Sequence, residues 1–162
     1  MSTFDRLAGP TTSQHQTPLT SSRDRFYEGA AGGVTALVVD DDSRNTFALT
    51  ALLQRGKMIV VAADSGPAAL DILEHRADIG IVLMDIMMPV MDGYEAITAI
   101  RKRPRSAELP IIAITGKADG GERERCIAAG ASDYLAKPID TAALMTTICR
   151  WLLTATMDLP PC

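Results

Sequence analysis

Apolar residues in this chain gather in short continuous runs, and the stretches between the runs carry helical spacing. The runs are Ala36-Leu37-Val38-Val39, Met58-Ile59-Val60-Val61, Ile79-Gly80-Ile81-Val82-Leu83-Met84, Ile111-Ile112-Ala113-Ile114 and Tyr134-Leu135, the last too short to stand alone as a strand signal. Near-continuous apolar strands predict burial on both faces, hence a parallel sheet covered by helices. Arg44 to Arg55 places Leu49, Leu52 and Leu53 on one helical face. Ser65 can cap a second helix with Pro67 in its first turn and Ala69, Leu70 and Leu73 inward. Asp92 and Glu95 have the spacing of a capping box for a third, which buries Ala96, Ile97 and Ile100 and ends at Pro104. A fourth runs from about Gly120 to Ala129 and stops at Gly130, and a fifth follows Asp140 and buries Leu144, Ile148, Trp151 and Leu152. These are five βα units, with right-handed crossovers expected.

The pattern begins only near Thr35. Residues 1–33 are rich in Ser, Thr, Gln, Gly and Pro, with apolar residues scattered without period. Such a composition predicts a flexible tail, with Gly29 to Gly33 as a loose join and room for a short helix around Arg23 to Glu28. The expected organisation is a tail over 1–33, one domain over 34–155 and a short C-terminal tail over 156–162.

Composition narrows the class. Hydrophobic residues are 47% and aromatics only 4%, so the core must be aliphatic. A net charge of -4 argues against a nucleic-acid surface, which needs a basic stripe. No apolar run approaches the roughly 18 residues of a membrane helix, and the N-terminus lacks a secretory apolar segment. Cys126, Cys149 and Cys162 are odd in number and lack metal-ligand spacing, which fits free thiols in a reducing cytoplasm. His15 and His75 are the only histidines, and neither is expected to be catalytic or to bind a metal.

Chemistry concentrates where the strands end. The first strand ends in Asp40-Asp41-Asp42, the third in Asp85, the fourth in Thr115-Gly116 and the fifth near Lys137-Pro138. Parallel strands share one C-terminal rim, so carboxylates, a hydroxyl and an ammonium converge there from four segments. Carboxylates this close repel unless a cation intervenes, and oxygen donors select a hard ion such as Mg2+. Metal, lysine and hydroxyl are also the parts that stabilise a phosphoryl group in transfer, with aspartate as nucleophile.

The strings Leu37-Val38-Val39-Asp40-Asp41-Asp42, Met84-Asp85-Ile86-Met87-Met88-Pro89 with Met91-Asp92-Gly93, Ile111-Ile112-Ala113-Ile114-Thr115 and Gly130-Ala131-Ser132-Asp133-Tyr134-Leu135-Ala136-Lys137-Pro138 stand in order along the chain. Together they resemble the receiver domain of the two-component signalling family over about Thr35 to Leu153. The resemblance implies a flavodoxin-like (βα)5 doubly wound sheet with strand order 2-1-3-4-5. It implies a non-enzymatic signalling receiver that takes a phosphoryl group from a histidine kinase or a histidine phosphotransfer protein. Asp85 then resembles the phospho-acceptor, Asp41 the direct Mg2+ ligand and Asp40 a ligand acting largely through water. The backbone carbonyl of Met87 completes the protein's share of the shell. Thr115 resembles the hydroxyl drawn to the phosphoryl group, Lys137 its ammonium partner with a cis bond to Pro138, and Tyr134 the aromatic switch. The implied output is an unknown downstream protein engaged through helix 4, strand 5 and helix 5, where a phosphorylation-dependent dimer is one option. No nucleic-acid or membrane contact is expected of this chain. Because no effector domain is expected after the fifth helix, output by protein binding or onward phosphotransfer is the expectation. Arg44-Asn45-Thr46-Phe47-Ala48-Leu49 gives the chain the style of receivers attached to hybrid histidine kinases.

Departures and bland readings accompany these roles. Gly116 stands where the family more often has Ala, and Gly120-Gly121 lowers the helicity of the next segment, so a mobile connection between the fourth strand and the fourth helix is expected. Met87 and Lys117 occupy positions that tune acyl-phosphate hydrolysis, and neither orients water in an obvious way; a moderate lifetime is expected. Asp42 and Asp92-Gly93 read as caps, Met84, Met87, Met88 and Met91 as packing, and Glu122 to Arg125 as a solvated helix face that could join the partner surface. The rival is an interaction module with the same fold that works without phosphorylation. An aspartate-nucleophile phosphohydrolase would resemble this chain too, but such enzymes usually place a second Asp two residues on, where Met87 stands.

Overall fold

The computed structural model describes residues 29–117 and 119–157. The tail expected over 1–33 therefore lies outside the described residues except for its last five, as do the helix considered near Arg23, His15 and Cys162. Five parallel strands form one sheet: β1 Thr35–Val39, β2 Ile59–Ala63, β3 Ile79–Asp85, β4 Ile111–Thr115 and β5 Asp133–Ala136, in the order β2-β1-β3-β4-β5. The helices between and after them are α1 Ser43–Arg55, α2 Gly66–His75, α3 Gly93–Arg101, α4 Glu122–Ala129 and α5 Thr141–Met157, with a 3-10 turn at Pro104–Ser106. No helix among the described residues is long and apolar enough to cross a membrane.

The caps form where side chains can reach the first free N–H groups. Asp42 accepts from the Arg44 N–H at 2.9 Å, and Ser65 accepts from the Ala68 N–H at 3.3 Å. Asp92 and Glu95 close a reciprocal capping box. Gly130 ends α4 at φ 114, a conformation that strains any residue with a Cβ.

Each sheet face supports one apolar layer. Leu37, Val82, Met84 and Ile111 join Leu73 of α2, Ile97 and Ile100 of α3 and Cys126 of α4. Val38, Ile81, Leu83 and Ile112 join Leu49 and Leu53 of α1 and Leu144 and Ile148 of α5. The β1–β3 register slips by one residue at Gly80, where a Cβ would stand 2.7 Å from Val34 Cγ1.

Burial on both faces holds for β1, β3 and β4 but not for the edges. Ile59 in β2 is 53% exposed, and all four β5 residues are only partly buried. An edge strand has a neighbour on one side only, so helices cover it incompletely. The Gly29–Gly33 segment also departs from the loose join expected of it. The chain is helical at 29–31, Ala31 is fully buried against the α1–α5 side, and Gly33 donates to the Lys57 carbonyl at 2.9 Å.

Candidate functional site

The apolar run of β3 carries its last residue to the sheet rim without turning it into solvent. Asp85 is 4% exposed, and its Oδ1 accepts from the Met87 N–H at 3.2 Å. β1 delivers Asp40 beside it, 3% exposed, and the following residue Asp41 lies out in solvent. Oxygen atoms of Asp40, Asp41 and Asp85 lie within 4.8 Å of one another. At an effective dielectric near 20, two carboxylate charges at that separation repel by about 3 kcal/mol. Burial, joined by the charge of Asp85, holds the Asp40 carboxyl above its ordinary range against the Asp42 N–H and the Lys137 ammonium.

Lys137 reaches in from the end of β5. Its Nζ stands 3.3 Å from Asp85 Oδ1 and 3.7 Å from Asp40 Oδ2. The Lys137-Pro138 bond is cis, and the Lys137 N–H donates to the Thr115 carbonyl at 2.7 Å, fixing this loop to the β4 tip. Three carboxylates against one ammonium leave two negative charges at the rim, a deficit suited to a divalent cation. The donors are all oxygen, which fits Mg2+ rather than a soft metal. Asp42 is not part of this group: its carboxyl is held down to about 2 by hydrogen bonding to Arg44.

Thr115 lies at the end of β4, fully buried, with its strand paired to β3 so that Ile114 faces Asp85 in register. Its Oγ1 accepts from the Lys117 N–H at 3.1 Å and donates to Glu122 Oε1 at 3.2 Å. Tyr134, two residues into β5, is half-buried against the layer under α2, α3 and α4. Met87 is 53% exposed, so it departs from the packing role expected of the methionines, whereas Met84 and Met88 are buried and Met91 packs on the same layer. The β3–α3 loop turns outward at Met87, which removes it from the core.

Two features escaped the sequence reading. Glu122 is fully buried rather than solvated, and its Oε1 also accepts from the Tyr94 hydroxyl on α3. Its signal was present: Cys126, four residues on, marks the inward face of α4, and Glu122 shares it. Burial and the Glu122 charge push the Cys126 thiol up to about 11, and burial with the Glu122 hydrogen bond raises the Tyr94 hydroxyl above its ordinary value. The second feature is an open cleft of about 580 Å³ beside Asp40 and Asp41, walled by Thr46, Ala63 and Phe47, whose ring is largely exposed.

The arrangement has known counterparts. The chain is 37% identical over 118 residues to the signal transduction histidine-protein kinase BarA of Escherichia coli, a match over 73% of this chain and 13% of that protein. It is 33% identical over 116 residues to the two-component response regulator ORR7 of Oryza sativa, covering 72% of this chain and 55% of the relative. The chain thus spans a small part of BarA and about half of ORR7. Among solved structures, the receiver domain of sensor histidine kinase PA1611 from Pseudomonas aeruginosa superposes with a TM-score of 0.69 at 36% identity, over 75% of this chain and 98% of that one. That structure holds a magnesium ion in its active-site cleft. The chemotaxis protein CheY4 of Vibrio cholerae gives a TM-score of 0.69 at 27% identity, over 74% of this chain and 98% of that one. The response regulator receiver domain profile matches residues 36–149, and with that span, this fold and this rim, the chain belongs to the response regulator receiver domain family.

Proposed function

We propose that this domain accepts a phosphoryl group from a phosphohistidine onto Asp85 and uses it to switch protein–protein interactions. The observation that carries the reading is the position of Asp85: a nearly buried carboxylate at a strand tip, in contact with one ammonium and grouped with two further carboxylates. A carboxylate oxygen of Asp85 attacks phosphorus as the P–N bond to the imidazole breaks. The electron pair returns to the imidazole, which leaves neutral when its other nitrogen carries a proton. Asp40, Asp41, Asp85 and the Met87 carbonyl would hold Mg2+, which when bound offsets charge on the phosphoryl oxygens. Lys137 would then give its ammonium to a phosphoryl oxygen, and Thr115 its hydroxyl.

The donor is a histidine kinase or a histidine phosphotransfer protein on the cytoplasmic side. Drawing Thr115 toward the phosphoryl group frees space for Tyr134 to turn inward. The face of α4, β5 and α5 would then change its affinity for a downstream protein or a second copy. Incubation with a panel of phosphorylated kinases and phosphotransfer proteins tests the reading. Label should pass to the wild type from at least one donor, and Asp85→Asn should take none while keeping the wild-type circular dichroism. Equal labelling of Asp85→Asn, or none of the wild type by any donor, contradicts the proposal.

A further inference from the structure

Glu122 is a buried carboxylate that the phosphotransfer reading does not use. Its Oε1 accepts hydrogen bonds from Thr115 on β4 and Tyr94 on α3, while its own backbone opens α4. One oxygen therefore ties three elements together beside the candidate site. Its Oε2 stands 3.5 Å from Arg125 Nη1 and makes no hydrogen bond among the described residues.

The Thr115 hydroxyl has a single proton to give. It already accepts from the Lys117 N–H, and its proton goes to Glu122. The Glu122 oxygen and a phosphoryl oxygen are both acceptors, so Thr115 can donate to Glu122 or to a phosphoryl group on Asp85, never to both. We propose that Glu122 is a latch on the Thr115 hydroxyl, a positioning residue of the unphosphorylated state that competes with the phosphoryl group for that proton. The proposal rests on the reading of Thr115 as a phosphoryl contact. Release does not orphan the carboxylate, because Tyr94 and Arg125 stay beside it. The latch thus sets how strongly phosphorylation must pull before the β4 tip parts from α4, while Tyr94 keeps α3 and α4 joined.

The test is calorimetric titration of the full chain with beryllofluoride in saturating Mg2+, as a mimic of the phosphoryl group. Glu122→Gln keeps shape and an acceptor but replaces a charge-assisted hydrogen bond with a neutral one of about half the strength. It should bind the mimic about fivefold more tightly than wild type, a shift on the scale of one weakened hydrogen bond. The same substitution in a Thr115→Val background should leave affinity unchanged. A gain that survives in Thr115→Val would mean simple loss of a negative charge and overturns the latch. If Glu122→Gln fails to fold, Glu122→Asp withdraws the carboxylate by one methylene and is judged by the same direction. Unmoved affinity with wild-type binding intact overturns the latch alone. Failure of the wild type to bind the mimic overturns the receiver reading and the latch with it.

Discussion

Gly93 sets how closely α3 leans on the tip of β3. A Cβ at this position would stand 2.5 Å from the Asp85 carbonyl oxygen and 2.6 Å from Ile86 Cα, both backbone atoms that cannot swing aside. Its N–H donates to the Ile86 carbonyl at 3.0 Å, which locks the helix start to the strand end. Gly93→Ala should lower stability by about 1–3 kcal/mol, the usual range for overpacking, read as a lower urea midpoint. An unchanged midpoint would show that the loop yields freely and that this contact does not hold Asp85. At this scale the sequence was legible where an apolar run stopped at a charge, as it does at Asp85. It was misleading at Glu122, where a Glu-Arg-Glu-Arg string reads as solvated. Local charge density hid a burial that comes from Tyr94 and Thr115, which are 28 and 7 residues away in the chain.

Among the elements, Asp133 gives β5 a polar tie to α5, beside the apolar packing of Leu135. Asp133 Oδ2 accepts from Trp151 Nε1 at 3.0 Å and pairs with Arg150, and its Oδ1 accepts from the Tyr134 N–H at 2.9 Å. Burial pulls the Asp133 carboxyl upward, but these hydrogen bonds and the Arg150 charge win and hold it below its ordinary value. A depressed carboxylate pKa gives stability that is present above the unfolded value near 3.9 and is lost as pH falls through the folded value. Stability should therefore drop below about pH 4, with Trp151, the single tryptophan of the chain, reporting the loosening by fluorescence. Asp133→Asn should flatten that part of the profile; an identical acid profile in the variant would show that Asp133 does not set the acid stability. The starts of α1, α2 and α3 and the end of α4 at Gly130 were legible because capping residues stand at them, whereas α4 starts at Glu122 behind Gly121, which offers no side-chain cap. The strand edges were not, since apolar composition alone does not say which strands lie inside the sheet. Nor did the Gly-rich 29–33 segment announce Ala31, because a single buried methyl leaves no periodic trace.

For the whole molecule, the order β2-β1-β3-β4-β5 is what brings the chemistry together. It makes β1, β3 and β4 adjacent, so Asp40, Asp85 and Thr115 leave neighbouring strands, and β5 adds Lys137 from the side of β4. Alternating apolar runs and helices made the α/β class legible. Strand order was not in the periodicity and came from the resemblance, because crossover helices of similar length permit several orders. The proposed role of this rim is to take a phosphoryl group onto one carboxylate, Asp85, with Mg2+ present. Its most direct measurement is intact-mass spectrometry of the chain after treatment with a small acyl-phosphate donor, followed by borohydride reduction and peptide mapping. One phosphoryl group should add in Mg2+ and fail to add in excess chelator, and reduction should convert residue 85 alone to homoserine. Label at another residue, or equal label with the chelator present, would rule out Mg2+-dependent phosphorylation of Asp85.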